Sequence, residues 1–264
     1  MQYLLKPFRL LWRIWVILVF AILFLLGYPL FALFLTREKW FTHAFTLKRV
    51  ISYTTALLSG IFIRKIQESP FDKSRTYVII SNHTSYLDVI LTYAFLPIYY
   101  HFIGKQELGK IPFFRILFSK TNILLDRSSR RSAQEAYNRA IADLKKGISV
   151  FLFPEGTIPH NAPNLRRFKN GAARMAIELQ LPVLPITYLD HWHLFPEGDN
   201  RWKGGGPGIN RIVIHPPIET YGRTSEDIES LNNQLFQITH DTLSQYKILP
   251  DSLGNPKTNS RKPA

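Results

Sequence analysis

Tyr77-Val78-Ile79-Ile80-Ser81-Asn82-His83-Thr84-Ser85-Tyr86-Leu87-Asp88 is the stretch from which the fold is read. Four apolar residues lead directly into Ser81 and Asn82, a pattern that reads as a buried strand ending at a helix start. In α/β proteins, reactive groups sit where strands end and helices begin. A histidine at such a point can take a proton from an alcohol. A carboxylate one turn further on can hold the imidazole in one tautomer and stabilise its charged form. Of the eight histidines, only His83 has Asp at the fifth position after it. With Asp at roughly one position in twenty, a chain of this size shows such a pair by accident about one time in three, so spacing alone is weak. The competing reading makes His83 a strand-end cap and Asp88 a solvated residue of an early helical turn.

Outward from this stretch, apolar strand-like runs alternate with helical periodicity. Strands are expected at Thr76–Ser81, Thr121–Leu125, Ile148–Phe153, Val183–Leu189 and Arg211–His215. Ser132-Ala133-Gln134-Glu135 reads as a capping box opening a helix that Gly147 stops. Further helices are expected from about Gly171 to Leu179 and after Thr224-Ser225-Glu226-Asp227. Asp190-His191-Trp192-His193 reads as alternating strand, with histidines lining one face rather than holding a metal. The fold class is α/β, a mixed sheet flanked by helices, preceded by an N-terminal hydrophobic helical membrane anchor. The expected division is an anchor of one or two apolar helices over 1–66, an α/β domain over 67–249 and a disordered basic tail over 250–264.

From Ile14 to Thr36 there is no charged residue, a run of about 23 residues that a helix would stretch to about 35 Å, enough to cross a bilayer. Aromatic residues on every side of it, among them Trp12, Trp15, Phe20, Phe24 and Phe31, argue against a buried core helix. Gly27-Tyr28-Pro29 interrupts the run, and the second apolar stretch, Val50 to Ile63, is too short to span alone. Lys6, Arg9 and Arg13 precede the first stretch, and Arg37, Lys39, Lys48 and Arg49 follow it. Positive charge on both flanks fits a helical pair that dips into one leaflet and returns, with both flanks against anionic lipid.

The chain of 264 residues carries a net charge of +14 and no cysteine. Thiolate nucleophiles and Cys-based zinc sites are thereby excluded. The basic balance calls for an acidic partner. Nucleic acid is not favoured, because an apolar anchor suits it poorly and no nucleic-acid motif is present; Lys203 to Gly208 lacks the Gly-Lys-Ser/Thr ending of a phosphate loop.

Further blocks follow in order: Gly104-Lys105-Gln106-Glu107-Leu108, Leu125-Asp126-Arg127, Phe153-Pro154-Glu155-Gly156-Thr157, Phe168-Lys169-Asn170-Gly171 and Leu181-Pro182-Val183-Leu184-Pro185-Ile186. Singly these are ordinary turns and surface charges. Together with Asn82–Asp88, their order and spacing resemble the glycerophospholipid acyltransferase family, in particular its bacterial 1-acylglycerol-3-phosphate acyltransferases, over roughly residues 70 to 190. The resemblance implies His83 and Asp88 as the catalytic His-x4-Asp block. It implies Lys105, Arg127, Glu155, Gly156, Thr157 and Lys169 at the substrate. It implies transfer of a fatty acyl chain from an acyl thioester, acyl-CoA or acyl-carrier protein, to the free hydroxyl of 1-acylglycerol-3-phosphate, giving phosphatidate. No bound cofactor and no metal are implied. The implied partners are the lysophospholipid, the acyl carrier and anionic membrane lipids. The implied location is the cell inner membrane with the catalytic domain on the cytoplasmic side.

The chain departs from the family where Arg and Ser commonly follow Glu-Gly-Thr: Ile158 and Pro159 stand there. Asn122 stands where many relatives carry Gly. These departures keep open an acceptor with another head group, such as a lyso-aminolipid. A hydrolase, with water in place of the alcohol, is a further alternative.

Overall fold

The computed structural model describes residues 5–110, 113–198 and 203–249. Its sheet forms because short β-branched and aromatic runs find partners across the chain. The strands are β1 (Ile61–Gln67), β2 (Val78–Ser81), β3 (Tyr100–Lys105), β4 (Asn122–Leu125), β5 (Ser149–Leu152), β6 (Val183–Tyr188) and β7 (Gly208–Ile214). They lie in the order β1-β7-β6-β2-β5-β3-β4. β6, β2, β5, β3 and β4 run parallel to their neighbours, while β7 is antiparallel to β6 and parallel to β1. The sheet is therefore mixed. All four residues of β2 are buried, as the centre of a two-sided layer requires.

Period-two alternation divides this strand between two cores. Val78 and Ile80 face the cluster built by α5 (Arg130–Lys145), α6 (Gly171–Leu179) and α8 (Ile228–Gln245). Tyr77 and Ile79 face the aromatic cluster shared with Tyr93 and Phe95 of α3 (Leu87–Phe95) and Phe45 of α2 (Phe41–Leu58). Helices thus cover both faces.

α1 (Lys6–Phe34, 29 residues) is long and apolar enough to cross a membrane by length and composition. It keeps Pro29 inside its span. With α2 it forms a hairpin, and the crossing is tight at Gly27, where an added Cβ would lie 3.0 Å from Ile51 Cδ1. Both ends of α1 touch the α/β layer. Val16 packs with Leu87 and Leu91 of α3, and Phe24 and Phe31 pack with Leu117 and Phe118 of α4 (Phe114–Thr121). The opposite side, with Phe8, Trp15, Ile22 and Leu26, is exposed. An apolar face this large is suited to lipid.

Several local expectations need correction. The helix after residue 129 begins one turn earlier than the Ser132 capping box implies. Ser129 is its N-cap and accepts from the Ser132 amide, while the Ser132 hydroxyl accepts from the Asp126 amide. β7 begins at Gly208, ahead of Arg211, because it pairs along the whole of β1. β1 itself, within the segment expected as anchor, belongs to the sheet, and β3 adds a further strand. Asp190–His193 is not a strand: His191–Leu194 form a one-turn helix, α7. The Thr224–Asp227 capping box is present as expected, with both reciprocal bonds made. The tail over 250–264 lies outside the described residues.

Candidate active site

Five parallel strands, β4, β3, β5, β2 and β6, end at one rim of the sheet. Four of the blocks singled out in the sequence follow or close one of them: His83 after β2, Lys105 at the end of β3, Arg127 after β4, Glu155–Thr157 after β5. The next residues after β6 bring in His191. Such a rim is where α/β folds gather chemistry.

Asn82 extends the ladder past the strand end. It does so with its side chain: Nδ2 donates to Tyr188 O at 3.0 Å and Oδ1 accepts from Tyr188 N at 2.8 Å. The turn that follows places His83 Nδ1 at 2.8 Å from Asp88 Oδ2. The same oxygen accepts from the amides of Thr84 (2.5 Å) and Ser85 (2.9 Å). Asp88 is fully buried in the first turn of α3. Burial alone would raise its carboxyl, but hydrogen bonds from His191 and His83 overcome that and bring it down to about 2. The carboxylate is thus an ionised platform that accepts five hydrogen bonds, from the two imidazoles, the Thr84 and Ser85 amides and the Thr84 hydroxyl. It orients His83 so that the other ring nitrogen, Nε2, is left for a ligand, and among the described residues no protein group bonds that nitrogen. The ring lies flat on Phe153, with centroids 4.0 Å apart and planes at 11°. Ser85 is not available as a nucleophile: its hydroxyl donates to Phe195 O at 2.7 Å and accepts from the Leu87 amide.

Glu155 lies 2% exposed behind the histidine. Its two oxygens accept from the backbone amides of His83 (2.8 Å) and Arg166 (2.9 Å). Burial pushes this carboxyl up to about 8, against the pull of those two amides. The geometry makes Glu155 a clamp joining the loop of His83 to that of Arg166. Gly156 adopts φ +76°, a left-handed conformation glycine accepts without strain, and an added Cβ would approach Lys169 Nζ to 3.0 Å. The Lys169 amide donates to Pro154 O at 2.9 Å, tying its segment to the same turn.

His83 opens into a cavity of about 580 Å³. Lys105, Arg127 and Thr157 line it beside the histidine, and so does Ile158; the side chains of Glu155 and Lys169 do not. Its other arm is apolar, running between Val89 and Ile90 of α3, Leu117 and Phe118 of α4, and Phe20, Phe24 and Phe31 of α1. The cavity wall therefore combines a cationic part beside Lys105 and Arg127 with an apolar part that the N-terminal helices complete.

Three lining or supporting groups escaped the sequence reading. Lys48 of α2 lines the apolar arm, donates to Thr121 Oγ1 at 2.7 Å, and burial lowers its amine to about 7. Glu197 lines the cavity and pairs with Arg13 of α1 at 3.1 Å. His191 Nδ1 lies 2.6 Å from Asp88 Oδ1, which accepts from it. Lys48 and Arg13 stood in the sequence as flank charges of an anchor, and nothing local marks them as cavity groups. The only sequence signal for His191 was its closeness to the end of the strand over 183–189.

The family model described as Acyltransferase matches residues 62–189. An acyltransferase of Schizosaccharomyces pombe is 28% identical over 238 residues, covering 88% of this chain and 78% of that protein. The chloroplastic 1-acyl-sn-glycerol-3-phosphate acyltransferase of Brassica napus is 32% identical over 210 residues, covering 79% of this chain; the chain spans 59% of that relative's length. The crystal structure of the 1-acyl-sn-glycerophosphate acyltransferase PlsC from Thermotoga maritima superposes with a TM-score of 0.75 at 26% identity, covering 96% of this chain and 100% of that one.

Proposed function

The chain belongs to the Acyltransferase family through residues 62–189, and from that premise we propose that it moves a fatty acyl chain from an acyl thioester to the free hydroxyl of 1-acylglycerol-3-phosphate. The observation that carries this reading is His83: Nδ1 is held by an ionised, buried carboxylate, and the ring lines a cavity whose wall is cationic in one part and apolar in another.

The chemistry follows from that arrangement. An alcohol is a poor nucleophile until a base takes its proton. His83 Nε2 accepts the hydroxyl proton as the oxygen attacks the thioester carbonyl carbon. The carbon–sulfur bond then breaks, and the imidazolium returns the proton to the departing thiolate. Asp88 holds the tautomer and stabilises the transient charge. The chain has no cysteine, and Ser85 is committed to Phe195, so transfer in a single step is favoured over an acyl-enzyme. Lys105 and Arg127 supply charge for the acceptor's phosphate, and the apolar arm takes an acyl chain. Acyl-CoA and acyl-carrier protein, both anionic, suit the net charge of +14.

The anchor is read as monotopic. A 29-residue helix is about 44 Å long, and one that left the domain to cross a bilayer would touch it at one end only. α1 instead packs on α3 near one end and on α4 near the other. This supports a hairpin embedded in one leaflet; the reading sets the site on the cytoplasmic side of the inner membrane as part of the same proposal.

Ile158 lines the cavity where a further cation would help hold a phosphate, and this favours a second reading with another lysolipid, such as a lyso-aminolipid, as acceptor. Purified protein given labelled acyl thioester and a panel of lysolipids distinguishes the two. Label entering lysophosphatidate supports the first reading, label entering only an aminolipid selects the second, and acceptor-independent release of acid would overturn both.

A further inference from the structure

Asp88 serves two imidazoles. Its Oδ2 faces His83, while Oδ1 lies 2.6 Å from Nδ1 of His191, a residue of the one-turn helix α7 that is fully buried. His191 Nε2 is buried and has no hydrogen-bond partner. That orphan nitrogen fixes the tautomer. If Nε2 carried the proton, a buried N–H would lack an acceptor and the Nδ1 lone pair would face a carboxylate oxygen. The proton therefore sits on Nδ1 and is donated to Asp88, and Nε2 is a bare lone pair. The ring is held in place by stacking on Tyr188, with centroids 4.4 Å apart, and Phe195 N donates to His191 O at 3.0 Å.

We propose that His191 is a positioning residue for acyl transfer: by bonding the second oxygen of Asp88 it locks the carboxylate's rotamer and divides its charge between two rings. The proposal rests on the reading of His83 as the base. Without His191, Oδ1 would keep only the Thr84 hydroxyl at 3.4 Å, and the carboxylate would be held mainly through Oδ2, the oxygen that faces His83. An undivided carboxylate would also hold the His83 imidazolium more tightly and slow return of the proton to the leaving sulfur. Lys105, Arg127 and His160 line the cavity with His83, and the titratable groups packed behind the pair are engaged elsewhere. Asp190 is bound by Arg211 at 2.7 Å, Glu155 by two amides, Glu197 by Arg13, and the Tyr188 hydroxyl by Thr92.

The test compares His191→Phe, which keeps a flat ring on Tyr188 but has no donor, with His191→Asn, which restores an N–H near the Nδ1 position. The Phe variant is expected to lose about tenfold or more in kcat, the scale of one hydrogen bond to a charged group. KM for both substrates should stay within about twofold, and the acid limb of the kcat/KM profile should move to higher pH. The Asn variant should recover much of the rate and return the limb. A packing role alone would lower rate or thermal stability in both variants and leave the limb where it is, and that result overturns the proposal. ¹⁵N spectra of histidine-labelled wild-type protein provide a check that needs no variant: the Nδ1–H tautomer is expected at His191, and the Nε2–H tautomer would overturn the proposal. If His83→Ala is inactive while His191→Phe is normal, this inference alone fails; if His83→Ala is active, the underlying function reading fails with it.

Discussion

Two histidine–aspartate pairs in this protein have the same bond and opposite surroundings. His83 Nδ1 lies 2.8 Å from Asp88 Oδ2 at the rim where the parallel strands end. His101 Nδ1 lies 2.8 Å from Asp143 Oδ2 near the start of β3, at the other end of the layer. The difference is at the second ring nitrogen. His101 Nε2 meets the Tyr99 hydroxyl at 3.1 Å, and Asp143 is also bonded by Arg139. His83 Nε2 is left for a ligand in a large cavity. A third pair repeats the lesson: His215 Nδ1 meets Glu68 at 2.9 Å and Nε2 meets Thr187 at 2.9 Å. An oriented imidazole is a common structural device; an oriented imidazole with a vacant second nitrogen on a cavity is a candidate base.

Asp88→Asn gives the largest expected separation between the pairs. Loss of the orienting charge should lower kcat by about 10³–10⁴-fold, the scale seen when a catalytic carboxylate becomes an amide, while Asp143→Asn should leave kcat within about twofold. A large loss of kcat in a folded Asp143→Asn variant would break the contrast.

The buried second pair should reveal itself in stability instead. His101→Phe removes the donor from Oδ2 of Asp143, a residue 2% exposed, and leaving a buried polar group unsatisfied costs about 1–3 kcal/mol. For a domain of this size that is several degrees of melting temperature, at about 2–4 °C per kcal/mol. Differential scanning calorimetry of this variant beside the wild type reads this directly.

Arg127→Ala sharpens the contrast from the substrate side, since Lys105 and Arg127 line the cavity that His83 opens into. KM for an anionic acceptor should rise about tenfold, with kcat little changed, the scale of a charge-assisted hydrogen bond. Equal losses for a neutral acceptor would argue that Arg127 acts on the fold rather than on the phosphate.

Glu155 yields a smaller, pH-dependent effect. Its carboxyl is raised from 4.5 to about 8 by burial. A raised acid favours folding below its unfolded value, and that contribution is lost as pH rises through about 8. Urea midpoints of the wild type should therefore fall between about pH 4.5 and 8 by an amount that Glu155→Gln removes. An identical pH slope in the variant would contradict the assignment.

Much of this was legible in the chain. The apolar run ending at Ser81-Asn82 gave the central strand, and the ordered blocks gave the rim, because each parallel strand delivers its following residues to the same edge. β1 and β3 were hidden for physical reasons. Ile61–Gln67 continues the apolar character of α2, and Tyr100–Lys105 carries a histidine and a glycine that break the usual strand signature. Glu155 read as a substrate group, yet its oxygens are taken by amides that no sequence pattern identifies. Lys48 and His191 were invisible as cavity and carboxylate partners because their contacts, to Thr121 and Asp88, are made across long stretches of chain.

The central claim is that His83 takes the acceptor's proton. The direct measurement is kcat for acyl transfer to lysophosphatidate by His83→Ala protein whose melting curve matches the wild type. The account predicts a fall of at least about 10²–10⁴-fold; turnover near the wild-type rate would contradict it.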